Sequence, residues 1–191
     1  MRKKLLFLGA FALTTAFSTL SSSCIFNKEY QDVRITKIFD GDTFEIVSKN
    51  KREKIRLYGI DTPETKKANT NVAILENHYA LLAKSFVTEI IKQNKNKKIE
   101  LNVQTVDKYN RLVAVLKIGQ IDISKELLKR GLARKAYISI NKNEANFKLY
   151  GARTLFQKDY YYQLDELEKY AKRHKIGFWK ENIQNVFHKL N

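Results

Sequence analysis

At 191 residues, with a formal net charge of +16 and a single cysteine, the chain has room for one ordinary domain and an appendage. A lone cysteine excludes an internally disulfide-stapled scaffold. The basic excess suits a polyanionic partner through counterion release and steering. Lysine here accompanies Asn, Ile, Tyr and Phe, a general compositional bias, so charge points to nucleic acid only beside a site.

The appendage comes first. Arg2, Lys3 and Lys4 precede an apolar run over 5–17, too short for a comfortable membrane span, and a small polar stretch over 18–23. Residues 1–23 therefore read as a signal peptide. Cys24 follows at once, and Leu20-Ser21-Ser22-Ser23-Cys24 looks like a loose version of the lipoprotein cleavage box. On that reading Cys24 is lipidated, residues 24–32 form a lipid-anchored linker, and the protein sits on the extracellular side of the cell membrane. Ordinary secretion with an incidental cysteine is the other reading.

From Val33 the pattern turns to β. Apolar, β-branched segments over 33–39 and 43–47 flank the turn Asp40-Gly41-Asp42, and a third strand spans 53–60. Pro63 ends this meander. A helix is predicted over 72–92, with Val72, Leu75, Tyr79, Leu82, Phe86 and Ile90 on its buried stripe. Strands over 98–104 and 112–118 follow, joined through Asp107-Lys108-Tyr109-Asn110. Ser124 is the expected N-cap of a short helix to about 130, with Gly131 beyond its end. Residues 133–140 read as extended, 141–157 as polar and undefined, and 159–175 as a last helix. The domain is placed at 33–180, leaving 181–191 as a tail. Five short strands, with one helix between the third and fourth, match the layout of an α+β, five-stranded Greek-key OB-fold barrel.

Hydrolysing a phosphodiester requires a base for the attacking water, positive charge for the phosphate oxygens and help for the leaving oxygen. A hard cation held by carboxylates neutralises phosphate charge. Paired acids, a further carboxylate and two arginines are thus the pieces to seek. They lie at strand ends and turns: Asp40 and Asp42, Arg56, Asp61-Thr62-Pro63-Glu64, and Arg111. Singly, each has a plain structural reading as a turn, a solvated strand edge or a helix cap.

Their combination resembles the staphylococcal nuclease family. The matching pieces are Ile38-Phe39-Asp40-Gly41-Asp42-Thr43, Ile55-Arg56-Leu57, Gly59-Ile60-Asp61-Thr62-Pro63-Glu64, Asp107-Lys108-Tyr109-Asn110-Arg111, Leu128-Lys129-Arg130-Gly131-Leu132-Ala133, Ala136-Tyr137 and Gly177-Phe178-Trp179. The resemblance implies an OB barrel with three helices and Ca²⁺-dependent cleavage of single- and double-stranded DNA and of RNA, leaving 3′-phosphates. It implies Asp42, Asp61 and the Thr62 carbonyl as Ca²⁺ ligands, with Asp40 supporting them from behind. Glu64 activates or positions the water, and Arg56 and Arg111 hold phosphate oxygens; the planar fork of guanidinium suits that task. Lys108, Tyr109 and Tyr137 match substrate-binding positions. Trp179 is expected to pack the last helix onto the barrel. No protein partner is inferred, and the chain is expected to be a monomer.

Three departures from the pattern stand out. Asn110 replaces a glycine, and asparagine tolerates left-handed backbone. Ser139 occupies the place of a second tyrosine in the nucleotide pocket. The stretch 141–157 is long and interleaves Lys142, Lys148, Arg153 and Lys158 with Phe147, Tyr150 and Phe156. It suits either an extended nucleic-acid groove or a loop with its own small apolar cluster. The histidines His78, His174 and His188 have no metal-ligand spacing. The competing functional class is a noncatalytic OB-fold nucleic-acid-binding lipoprotein, which leaves the retained acids unexplained.

Overall fold

The computed structural model describes Tyr30, residues 32–66 and residues 73–187. The leader, Cys24, Val72 and His188 lie outside the described residues.

The five long strands expected from the sequence are β1 (Arg34–Ile38), β2 (Thr43–Ser48), β3 (Lys51–Leu57), β5 (Ile99–Val106) and β6 (Leu112–Ile118). Hydrogen bonding orders them β1-β2-β3-β6-β5, with β3 and β6 parallel and the other neighbours antiparallel. That order, with a parallel contact between the third and last long strands, is the OB-type arrangement. Two-residue strands complete the β structure: β4 (Ile60–Asp61) pairs with β8 (Arg134–Lys135), and β7 (Ile121–Asp122) extends the sheet beside β6. The third strand is therefore not continuous over 53–60. It breaks at Tyr58 and Gly59, where Gly59 takes φ +79°, and the chain re-pairs with a different partner. Likewise only Arg134–Lys135 of the segment 133–140 is strand.

Alternation along β3 and β6 explains the core. Ile55 and Leu57 pair with Leu112 and Ala114 on the inner face, whereas Arg56 pairs with Val113 on the outer one. Phe44, Ile46, Leu116 and Ile118 fill the same core from neighbouring strands.

Three longer helices cover the sheet: α1 (Ile74–Gln93), α2 (Ile123–Lys129) and α4 (Leu155–Arg173). The buried face of α1 is Tyr79, Ala80, Ala83, Val87 and Ile90 with Glu76. Leu82, expected on that stripe, is exposed instead. The neighbouring Ala83 is buried against Gly41 of the β1–β2 turn. Asp122, rather than Ser124, caps α2 by accepting from Lys125 N; Ser124 is inside the helix and fully buried. The last long helix starts at Leu155, four residues before the expected 159. Thr154 and Gln157 form a reciprocal capping box there. Between them, 141–157 holds a single-turn helix, α3 (Phe147–Tyr150). Of the aromatic residues in this stretch, Phe147 lies against Gly151 and is half-buried, as is Tyr150, while Phe156 stacks on Tyr160.

The domain also continues past the boundary expected at 180. A 3₁₀ turn (Gly177–Lys180) leads into α5 (Ile183–Val186), and Val186 and Phe187 are buried in the core. Tyr79 of α1 donates to Glu181 Oε1 at 3.0 Å, which ties this segment down. Trp179 packs partly buried on the core, as expected, with its ring 4.8 Å from that of Phe178 and under the Lys172 ammonium. Gly131 and Gly177 allow the seam between α2 and this turn. A Cβ on Gly131, which has φ +60°, would lie 2.0 Å from the Ile176 carbonyl oxygen. No helix among the described residues is long and apolar enough to cross a membrane.

Candidate active site

The site begins with the turn between β1 and β2. The Asp40 side chain accepts from the Asp42 amide at 3.1 Å, closing an Asx turn, and Phe39 N donates to Thr43 O at 2.9 Å. Gly41 is pressed against its surroundings: a Cβ there would meet Ala83 Cβ at 2.7 Å and Thr62 Cγ2 at 2.9 Å. Only glycine lets the turn approach α1 and the Thr62 strand end this closely.

Register then delivers the arginine. Arg56 pairs with Thr43 across β2 and β3, one residue from Asp42. Its Nη2 lies 2.9 Å from Asp42 Oδ2 and 2.6 Å from Asp61 Oδ1, so one nitrogen bridges two carboxylates. Asp42 Oδ2 also accepts from the Thr62 amide at 2.8 Å, and Asp42 Oδ1 accepts from Thr43 Oγ1 at 3.0 Å. The β1–β2 turn and the end of the third strand are thereby joined through Asp42.

Burial and crowding of like charge shape the electrostatics. Burial first, then the neighbouring Asp42 charge, pushes the Asp40 carboxyl up to about 7, and Glu64 adds to the effect. Burial and Asp42 also raise Asp61, against the pull of Arg56 and Arg134. Burial opposes the charge on Arg56, but Asp42 and Asp61 more than offset it and hold the guanidinium protonated. Despite these bonds, the buried Arg56 Nε–H has no hydrogen-bond partner among the described residues. A buried, unpaired donor is costly without a function or a ligand to satisfy it.

Arg134 was not foreseen. It pairs with Asp61 across β4 and β8 and donates to Asp61 Oδ2 from Nε at 3.1 Å and Nη2 at 2.8 Å. Its guanidinium rests 4.0 Å from the centre of the Phe187 ring. The only local signal is a pair of basic residues between two alanines, Ala133-Arg134-Lys135-Ala136. The partner is 73 residues away in sequence, so pairing alone reveals the role.

Tyr137 reaches the same cluster. It stands at φ +57°, a left-handed conformation unusual for a bulky residue, and the Arg56 guanidinium lies 5.6 Å from its ring centre. Glu64 is exposed at the mouth, close enough to Asp40 to perturb its charge.

The remaining expected residues form a second group. Asp107 organises the β5–β6 turn: Oδ1 accepts from the Tyr109 and Arg111 amides, each at 2.9 Å, and Oδ2 from Arg111 Nε at 2.7 Å. Asn110 takes φ +59°, the left-handed geometry expected of it. Lys108 and Arg111 flank the Tyr109 ring at 5.1 and 5.3 Å, and that ring is 67% exposed. Arg111 immediately precedes β6, two residues before Val113, the partner of Arg56 across the parallel pair. Ser139 is buried and receives the Asn141 amide on its hydroxyl at 3.1 Å. His78 and His174 are exposed.

Among the described residues, no three His, Cys, Asp or Glu side chains converge as a metal cage. The donor set that would suit a hard cation is smaller. It consists of the Asp42 and Asp61 carboxylates, gathered on one Arg56 nitrogen, with the Thr62 backbone beside them. Oxygen donors of this kind fit Ca²⁺, whose flexible shell takes carboxylates, carbonyls and waters together.

A family model described as "Staphylococcal nuclease homologue" matches residues 54–181, which include Arg56, Asp61, Glu64 and Arg111. The thermonuclease of Staphylococcus hyicus is 26% identical over 167 residues, covering 86% of this chain and 85% of that protein. The thermonuclease of Staphylococcus intermedius is 32% identical over 130 residues, or 65% of this chain and 74% of that one. Endonuclease YncB of Bacillus subtilis is 30% identical over 155 residues, covering 81% of this chain and 64% of its own length.

Proposed function

The chain belongs to the staphylococcal nuclease family, and from that premise we propose that it is a Ca²⁺-dependent nuclease that hydrolyses phosphodiester bonds in DNA and RNA. The observation that carries this reading is Arg56: a buried guanidinium fixed by Asp42 and Asp61, with its Nε–H unpaired. The two carboxylates fix the guanidinium in place, so its positive charge is preorganised for a phosphate bound beside the cluster.

Each residue then has a task. Arg56 and Arg111 grip phosphate oxygens and stabilise charge as it grows in the transition state. Glu64, at the mouth beside Asp40, takes or orients the proton of the attacking water. Asp42, Asp61 and the Thr62 carbonyl are the residues that would hold Ca²⁺, with Asp40 bracing the turn behind them. When bound there, the cation supplies charge neutralisation at the phosphate. Lys108, Tyr109 and Tyr137 line the approach and contact nucleotide and phosphate.

Cleavage of single-stranded DNA and of RNA by the purified chain tests the proposal. Activity is expected with calcium and is expected to vanish with chelator; no cleavage in either condition sinks it. The products should carry 3′-phosphates, an end that a phosphatase-sensitive label shift detects.

The same proposal places the enzyme outside the cell on a lipid at Cys24, following a signal peptide over 1–23. Its support is the order of basic residues, apolar run and cysteine. Mass analysis of the native N-terminus should find an acylated Cys24, and an unmodified N-terminus elsewhere would remove the anchor.

A further inference from the structure

We infer that Tyr150, carried by the inserted segment, forms with Tyr137 a two-ring seat for the nucleobase beside the phosphate that Arg56 holds. This rests on the nuclease reading of the site and adds to it a residue from a stretch that reading does not use.

The placement of Tyr150 is built rather than incidental. After Tyr137 the chain runs outward through 141–146 and then returns. Ser139 N donates to Tyr150 O at 2.9 Å, Ala152 N donates to Ser139 O at 2.7 Å, and Ser139 and Gly151 form a parallel bridge. Gly151 closes the return tightly. A Cβ there would lie 2.5 Å from the Phe147 carbonyl oxygen and 2.8 Å from the Phe147 ring. The backbone of Tyr150 is thus fixed to the strand end that carries Tyr137.

Its ring meets the site. The centres of the Tyr137 and Tyr150 rings are 5.2 Å apart at 64°, an edge-to-face contact, and the Arg56 guanidinium lies over Tyr137. Tyr150 is only partly buried, so the pair keeps aromatic surface open to a ligand. Ser139 offers no ring at this place, and its hydroxyl is committed to the Asn141 amide. Lys148 precedes Tyr150 on the same helical turn, and Arg153 follows it with its guanidinium bonded to the Lys148 carbonyl at 3.0 Å. Aromatic faces for bases within a basic rim are what a single-stranded nucleic acid requires.

The test is a comparison of ligands as well as of variants. The full chain carrying Glu64→Gln, so that the ligand is not cut, is titrated with a labelled thymidine oligonucleotide and with an abasic oligonucleotide of equal length. The parent is expected to prefer the oligonucleotide with bases. Adding Tyr150→Ala or Tyr150→Leu should cut that preference about tenfold, within the range for one base stacked on one aromatic ring. Adding Tyr150→Phe should preserve it. A ring that only packs the fold would weaken both ligands alike or lower the thermal midpoint alone, and either result overturns the inference. So does an unchanged preference in the Ala and Leu variants. Failure of the unmutated chain to cleave with calcium would be a separate result, against the nuclease reading and not against this seat.

Discussion

Arg56 has two obligations that separate cleanly on substitution. It neutralises two buried carboxylates, and it holds a fixed positive charge for the substrate phosphate. Arg56→Lys keeps a charge but loses the fork, so cleavage should fall by roughly 10²-fold or more. Arg56→Ala should also cost about 3–5 kcal/mol of stability, because Asp42 and Asp61 then lose a shared cation. Glu64→Gln is the contrasting case. Glu64 is exposed, so stability should move by no more than about 0.5 kcal/mol while the rate falls roughly 10²–10⁴-fold. Denaturant unfolding and initial rates on single-stranded DNA check both. At this scale the sequence was generous. Asp40, Asp42, Arg56, Asp61 and Thr62 stand out as a set through their resemblance to a family pattern, and the fold brings them together. Arg134 is hidden for a physical reason, because its partner Asp61 lies 73 residues away in sequence, and Tyr150 finds its place only once the chain beyond Ser139 turns back on itself.

Among the elements, the strands were easier to place than the helix ends. Alternation of apolar and polar residues fixes a strand and its face, and β2 and the Ile55-Arg56-Leu57 end of β3 follow it, whereas β6 is a run of apolar residues broken only by Lys117. Caps depend on a single hydrogen bond, which several neighbouring residues can make. Asp122 rather than Ser124 caps α2 for that reason. The α1 stripe misses at one described position, Leu82, which faces out while Ala83 lies against the site turn; Tyr79 and Ile90 are buried and Leu75 and Phe86 pack on the core. The early start of α4 carries its own signature, Thr154 followed by Gln157. Thr154→Ala should therefore destabilise the protein by about 1 kcal/mol, measured in urea, whereas Ser124→Ala removes no cap. Equal losses for the two substitutions would contradict the assignment.

Over the whole molecule, the site depends on parts that contribute no chemistry to it. Phe187 lies under the Arg134 guanidinium, and Arg134 holds Asp61, so the last described residue supports a site carboxylate. Phe187→Ala should cost about 3–5 kcal/mol by cavity formation, and ending the chain after Lys180 should destabilise it at least as much. A stable, fully active chain ending at 180 would show that the domain stops where sequence pattern alone placed it. The central proposal is that the buried Arg56 cluster, with the exposed Glu64 close to Asp40, is a calcium-dependent phosphodiesterase centre. The most direct measurement is the initial rate of single-stranded DNA cleavage by the unmutated chain and by Glu64→Gln, each with calcium and with chelator. The account predicts cleavage by the unmutated chain with calcium, none with chelator, and a loss of roughly 10²-fold or more in Glu64→Gln. Equal rates for the two proteins, or cleavage indifferent to chelator, would contradict it.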